Sequence, residues 1–217
     1  MTRRGVAATA FAVALVLGTL TTGASAAPAG DDAIAEAGLL TPADFPAAEG
    51  WQAGKPPPDV PSSLPACAAV RRAREQAGDR RTASPAFDRA DGTAGASNVV
   101  YVFSTPAAAK RFLAPFREPR YVRCIRQSTE AQLDDERGVD VDVARTADVP
   151  GLGDQSVAFT ITLSTDGIAH AVLQATAVRD GRVVDGFTFR SLDGPLTGGD
   201  ALVAASLARV QQALAAA

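Results

Sequence analysis

The chain offers a single histidine, His170, for acid–base or nucleophilic chemistry. Any Ser-His-Asp or Cys-His mechanism would have to use it, and the sequence contains no Gly-x-Ser-x-Gly segment to present a nucleophilic serine on a strand-to-helix turn. His170 falls in an alternating segment that predicts a β-strand, and a position on the polar face of that strand explains it without catalysis. We therefore predict that the protein is not an enzyme.

Carboxylates cluster in a short segment and raise the question of a metal site. The cluster consists of Asp134, Asp135, Glu136, Asp140 and Asp142. It has enough oxygens for a hard cation but lacks the twelve-residue calcium-loop pattern with its bidentate terminal Glu. A solvated turn followed by the polar face of a strand accounts for the pattern, so we expect no metal and no cofactor.

The glycine-rich segment Pro150-Gly151-Leu152-Gly153-Asp154-Gln155-Ser156 is a candidate phosphate loop. Glycines let backbone amides approach an anion, but phosphate loops open a helix and carry a lysine. This segment has no lysine and precedes a predicted strand. It predicts a tight loop between strands instead.

The chain has two cysteines, Cys67 and Cys124. An oxidising compartment would pair them, and two cysteines allow one intramolecular connectivity. The alternative is a reactive thiol pair, but the spacing is not that of a Cys-x-x-Cys redox motif. We predict a disulfide bond between them.

The N-terminus has the pattern of an export signal. Arg3 and Arg4 precede an apolar run over residues 6–20, and Ala24-Ser25-Ala26 is a small-x-small cleavage site. The apolar run is short for a membrane-spanning helix, so cleavage is favoured over anchoring. We predict a signal peptide over residues 1–26, a flexible leader over 27–37 and a secreted domain over 38–217, without a stable membrane anchor.

The charge balance argues against nucleic acid as a partner. Without residues 1–26 the chain has 19 basic and 24 acidic residues, a formal charge of −5. Nucleic-acid-binding proteins rely on clustered basic residues. The exception is a cluster formed by Arg71, Arg72 and Arg74 with Arg80 and Arg81, which could face an anionic surface; a solvated helix face is the favoured interpretation.

Hydrophobic spacing predicts the elements of the domain. Alternation predicts strands over residues 98–103, 139–144, 157–164, 169–179 and 182–190. Helical spacing and capping signals predict helices over residues 64–75, 107–116, 121–132 and 199–215. Asp180-Gly181 predicts a type I′ hairpin turn between the last two strands. Strand runs followed by separate helices indicate a single α+β domain, with an antiparallel β-sheet and helices packed on one face.

The order of these features resembles the actinobacterial extracellular sensor-like domain family, which includes the external domain of a mycobacterial serine/threonine kinase and stand-alone secreted relatives. The resemblance rests on the Leu39 to Pro46 segment (LLTPADFP), Gly50-Trp51, Cys67, the 99–103 strand followed by Ser104-Thr105-Pro106, the helix running to Cys124, and Gly153-Asp154-Gln155-Ser156. It implies an antiparallel sheet flanked by helices and a ligand-binding cleft, and it supplies no catalytic residues. The external domain of the kinase typically carries two disulfides, whereas this chain has the cysteines for one.

Three functions remain open. The first is a secreted, non-enzymatic binding or sensor-like domain for an unidentified small molecule or cell-envelope component. Its cleft would lie between the polar face of the sheet and the helices, with Thr160, Thr162, Val172, Gln174 and Thr176 as lining candidates. The second is a structural or protein-interaction domain of the cell envelope without a pocket. The third is a hydrolase of envelope material that uses carboxylates or His170.

Overall fold

The computed structural model describes residues 30–55, 63–77, 80–133, 138–146, 151–192 and 194–217. The predicted signal peptide lies outside the described residues, and so do Asp134, Asp135 and Glu136 of the acidic cluster. In the described ranges, no helix combines the length and the apolar character needed to cross a bilayer.

In the described residues, eight strands form one antiparallel sheet in the order β1-β3-β4-β8-β7-β6-β5, with β2 paired to β4. The strands are β1 (Gln52–Ala53), β2 (Arg80–Ala83), β3 (Phe87–Asp88), β4 (Ala94–Val102), β5 (Asp140–Thr146), β6 (Gln155–Thr165), β7 (Ile168–Asp180) and β8 (Val183–Ser191). The helices are α1 (Gly30–Gly38), α2 (Ala68–Ala77), α3 (Pro106–Leu113), α4 (Pro119–Gln132) and α5 (Gly199–Ala216). These elements confirm the α+β class, the antiparallel sheet and the single domain.

Two tight turns join the consecutive strands β6, β7 and β8. Thr165 pairs with Ile168, and the two residues between them, Asp166 and Gly167, have φ of 52° and 76°, as a type I′ turn requires. The predicted hairpin between β7 and β8 is present, but its turn is centred one residue later than expected. Asp180 pairs with Val183, so Asp180 belongs to the strand and the turn is made by residues 181 and 182.

The helices cover both faces of the sheet, which corrects the expectation of one covered face. Val99 and Tyr101 of β4 pack in the cluster that contains α3 and α4 side chains. Val100 and Val102 point to the opposite face and pack with α1 and α5. Every residue of β4 is buried, so the strand presents apolar side chains in both directions. A sheet whose central strand is apolar on both sides needs a helical layer on each face.

Helix α1 corrects the prediction of a flexible leader over residues 27–37. Residues 30–38 form a helix whose Ile34 and Ala35 are almost fully buried. These side chains pack with Val100 on β4 and Val210 on α5. The segment is small and polar by composition, and its two inward positions are enough to dock it.

The end of α1 approaches the sheet and α5 closely, and this predicts a sharp sensitivity at Gly38. A Cβ at Gly38 would lie 2.7 Å from Val210 Cγ2 and 2.9 Å from Val100 Cγ2. Both valines are buried and stiff, so Gly38→Ala is expected to lower the free energy of unfolding by about 1 to 3 kcal/mol. Urea denaturation checks this.

Gly30→Ala is the matched control, because it lies on the same helix and its Cβ would meet Ala217 at an ordinary 3.7 Å. Equal stabilities of the two variants would contradict the close packing at Gly38.

Candidate functional site

The residues predicted to line a ligand cleft lie side by side on β6 and β7. They are Thr160, Thr162, Val172, Gln174 and Thr176. Thr160 pairs with Gln174, Thr162 pairs with Val172, and Thr176 follows on the same face of β7. On this same face of the sheet, α5 packs against the neighbouring strand β8. The structure therefore brings all five positions to one surface.

Part of that surface is already occupied by the protein itself. Val172 is buried, and Gln174 Oε1 accepts a hydrogen bond of 2.8 Å from the backbone N–H of Leu196, in the loop before α5. Thr160, Thr162 and Thr176 are half-buried. A ligand site on this face stays a prediction.

A cavity of about 420 Å³ lies elsewhere, in the helical layer on the other face of the sheet. Residues of α2 and α3 form its walls, and residues before and within the first turn of α4 complete the lining. The polar lining side chains are Arg72, Gln76, Ser104, Arg111 and Arg120, and the apolar ones are Ala69, Ala73, Ala108, Phe112 and Pro115. The volume falls in the range of small-molecule sites, about 300 to 1,000 Å³. We call this cavity the arginine pocket.

The α2 wall of the arginine pocket is held in place by a covalent bond. Cys67, immediately before α2, forms a disulfide with Cys124 of α4, with their Cα atoms 4.9 Å apart. This confirms the predicted pairing. Val70 is buried against the core, and the guanidinium of Arg74 lies 5.9 Å from the centre of the Phe116 ring. These contacts fix α2 against the rest of the helical layer.

Phe112, which lines the arginine pocket, belongs to a row of packed aromatic rings. Thr105 Oγ1 accepts a hydrogen bond from the backbone N–H of Ala108 and so caps the N-terminus of α3. The Phe112 ring lies 4.8 Å from that of Tyr101 and 5.3 Å from that of Phe116. Tyr121 continues the row, and burial raises the pKa of its hydroxyl to about 12. The Tyr121 hydroxyl is therefore uncharged at physiological pH.

The charge of the pocket lining is positive. Three arginines line it and no carboxylate does. Arg120 pairs with Glu118 beside the pocket. Arg72 and Arg111 are exposed, and neither makes an ion pair or hydrogen bond within the part of the chain that the structure describes. A guanidinium without a counter-charge presents several donors to an anion, in a planar fork that matches a carboxylate or phosphate.

A second polar site lies on the opposite face, at the junction of α1, β4, β8 and α5. Asp185 is fully buried, with Oδ1 accepting a hydrogen bond of 3.0 Å from Asn98 Nδ2 and Oδ2 lying 2.5 Å from Ser206 Oγ. Asn98 Nδ2 also donates to the Gly38 carbonyl, and Asn98 Oδ1 accepts from the backbone N–H of Leu40. The cluster ties the end of α1 to the sheet.

Counting protons in this cluster indicates that Asp185 is protonated below about pH 7. Ser206 Oγ lies 2.6 Å from the Gly38 carbonyl oxygen and 2.5 Å from Asp185 Oδ2, but a hydroxyl has one proton to donate. Both contacts are satisfied when Ser206 donates to the carbonyl and a protonated Asp185 donates to Ser206. Burial raises the pKa of Asp185 to about 7, against the lowering effects of Ser206, Asn98 and Arg209. The buried carboxyl serves to hold α1, β8 and α5 together.

The remaining chemical candidates do not assemble into a site. His170 is exposed near the β6–β7 turn. Asp140 and Asp142 lie on the exposed face of the edge strand β5. The glycine-rich segment leads into β6 at Gln155 and does not open a helix. No group of three potential metal ligands comes together within the described ranges.

Sequence analysis missed the arginine pocket although one of its residues was noticed. Arg72 belongs to the basic cluster that was interpreted as a solvated helix face. Arg111 and Arg120 come from two other elements, and their approach to Arg72 depends on tertiary packing. The available signal was the scarcity of acidic residues between 106 and 126, where Glu118 is the single carboxylate among six basic residues.

The fold and the site together define an antiparallel α+β domain with a basic pocket in one of its two helical layers. No family model matches the sequence, and no curated protein matches it. Among solved structures, the chain is similar to the extracellular domain of PknH from Mycobacterium tuberculosis. The TM-score is 0.51 at 14% sequence identity, over 82% of this chain and 95% of that chain. At this identity the similarity shows a shared fold.

A second similarity is weaker. The solution structure of cyanobacterial PsbP (CyanoP) from Synechocystis sp. PCC 6803 matches with a TM-score of 0.36 and 10% identity, over 90% of this chain and 98% of that chain. A TM-score at this level supports no argument about fold or function.

Proposed function

We propose that this protein is an exported, non-enzymatic binding domain of the extracellular sensor-like type, and that it holds a small anionic ligand in the arginine pocket. The observation that carries the proposal is the 420 Å³ cavity lined by three arginines and no carboxylate. The disulfide bond and the fold shared with an extracellular domain support an oxidising, extracellular location. The signal-peptide pattern in residues 1–26 supports export.

The lining indicates the chemistry of the ligand. Arg72 and Arg111 would bind a carboxylate or phosphate group, with Gln76 and Ser104 as neutral hydrogen-bonding partners. Phe112 and the neighbouring alanines offer an apolar surface below these groups. A small organic phosphate or carboxylate, with an apolar portion against Phe112, fits both features.

Binding is favoured over turnover because the lining contains no acid–base pair. Ser104 is the one hydroxyl among the lining residues, and neither a histidine nor a carboxylate lies there to activate it. A hydrolase of envelope material would need such a partner. A purely structural domain remains the second candidate, and it predicts that the pocket binds nothing.

Loss of the pocket arginines is expected to abolish binding of the anionic ligand. Native mass spectrometry of the protein purified from its own secretion medium identifies a retained compound. Isothermal titration with that compound, and with inorganic phosphate, citrate and glycerol phosphate, then measures affinity. Each of Arg72→Ala and Arg111→Ala should weaken binding about tenfold or more, because a hydrogen bond to a charged group contributes about 1.5 to 3 kcal/mol.

Arg123→Ala is the matched control, since Arg123 is an exposed arginine of the same helical layer that does not line the pocket. An equal loss in all three variants would indicate nonspecific attraction. A protein that retains no compound and binds none of the three probes would favour the structural domain.

A further inference from the structure

The helical layer formed by α2, α3 and α4 has a charge opposite to that of the rest of the chain. Residues 68–77 and 106–132 contain nine basic and three acidic residues, whereas the remainder contains twelve basic and twenty-one acidic residues. The formal charge is thus +6 on this layer and −9 elsewhere. Such separation produces a directed electric field at the surface rather than a neutral mixture.

On each of the three helices, one exposed arginine points away from the sheet. Arg72, Arg111 and Arg123 each follow a buried residue of their own helix by two positions, which corresponds to about 200° around the helix axis. The buried residues are Val70, Ala109 and Tyr121. All three arginines are exposed, so each helix presents its basic side to solvent.

Few carboxylates neutralise this surface. Arg71 pairs with Glu75 at 3.9 Å, and Arg126 with Asp142 at 3.7 Å, both in exposed positions where ion pairs are weak. Lys110 and Arg123 make no ion pair within the described ranges of the chain. The surface keeps a large positive charge that lies outside the arginine pocket as well as around it.

We propose that this basic helical layer docks onto the surface of an anionic lipid bilayer. The charges are distributed over three helices side by side, which suits a planar array of headgroups better than a single polymer strand. Among the described residues the large apolar side chains that are exposed, Ile168 and Leu192, lie outside this layer. The layer therefore contacts headgroups by electrostatic attraction and does not insert into the hydrocarbon.

Docking of this kind is peripheral and reversible, and it does not depend on an occupied pocket. Docking holds the mature domain against a membrane. This is the membrane that the domain would cross during export directed by the predicted signal peptide. Because exposed charges are screened within about 8 Å at physiological ionic strength, the attraction weakens strongly as salt is added.

Vesicle flotation tests the proposal with the complete mature chain. The protein should float with vesicles of phosphatidylcholine and phosphatidylglycerol in equal parts, should not float with phosphatidylcholine alone, and should be released by high salt. Arg123→Glu combined with Lys110→Glu is expected to reduce the bound fraction about tenfold, since each basic residue near the surface contributes to the attraction. Both residues lie outside the pocket lining, so the double variant keeps its affinity for the pocket ligand.

Lys55→Glu is the charge-matched control for the single variant Arg123→Glu, because Lys55 is exposed at the end of β1 and away from the layer. Equal effects of these two substitutions would overturn the proposal, since net charge alone would then explain binding. Binding to soluble polyphosphate without flotation would also overturn it and identify a polymer as the partner. Weakened pocket binding in Gln76→Ala, which removes a neutral lining side chain, with flotation retained separates this surface from the proposed function.

Discussion

Replacing Cys67 and Cys124 together by serine is expected to lower the free energy of unfolding by about 4 kcal/mol, because the bond closes a loop with a sequence separation of 57 residues. Such a loop restricts the unfolded chain, and its removal restores that freedom. Urea denaturation of the two proteins measures the difference. The bond also fixes α2 to α4, so the variant should lose affinity for the ligand of the arginine pocket.

A reducing agent provides the control for this prediction. It should destabilise the wild-type protein by the same amount and leave the double-serine variant unchanged, since the described part of the chain holds no further cysteine. A wild-type protein whose denaturation midpoint is indifferent to reduction would show that the bond contributes nothing to stability.

Replacing Asp185 by asparagine is expected to flatten the pH dependence of stability between about pH 4 and pH 7. The pKa of Asp185 is raised from 3.8 to about 7, mainly by burial. The folded state therefore binds this proton more tightly than the unfolded state does. Its contribution is complete below pH 3.8, declines as the pH rises and is lost above pH 7.

The asparagine side chain can reproduce the neutral carboxyl. Its amide would donate to Ser206 Oγ and its carbonyl would accept from Asn98, as the protonated Asp185 does. The wild-type protein should consequently lose several kcal/mol of stability across this pH range relative to Asp185→Asn. Thermal denaturation at a series of pH values gives both curves.

Asp185→Ala is the control that separates the proton from the hydrogen bonds. It removes the Asp185 partner of Asn98 and Ser206, which keep their contacts with the Gly38 carbonyl, and should be less stable than Asp185→Asn by about 2 to 4 kcal/mol at every pH. Parallel curves for the wild-type protein and Asp185→Asn would mean that Asp185 is ionised in the folded state, and the proton count would be wrong.

Local patterns were sufficient to predict the five longer strands and most helices, but not the short strands β1, β2 and β3. Apolar and polar side chains alternate in residues 157–164 and 169–179 because one face of each segment is more buried than the other. Both segments form strands. The β6–β7 turn was also visible in the sequence, because Asp166-Gly167 is a type I′ pair. Another Asp-Gly pair, Asp180-Gly181, lies one residue before the turn that forms between β7 and β8.

Features that depend on distant contacts were not predictable in this way. Helix α1 is docked by the buried side chains of Ile34 and Ala35 and by polar contacts of Asp31 and the Gly38 carbonyl, whereas its composition alone suggests a solvated leader. The arginine pocket requires α2 to lie beside α3, and nothing in the spacing of either helix indicates that neighbour. The cysteine pair predicted that α2 and α4 meet, but not which side of α2 would remain open.

The two ends of the described chain meet in space. The hydrogen bond from Ser206 Oγ to the Gly38 carbonyl joins residues 168 positions apart, and Ala217 lies beside Gly30. Among the described elements α1 is synthesised first, and α5, which covers it, is synthesised last. This half of the domain can therefore complete its folding only once α5 has been made, and it closes as a long-range contact between the two helices.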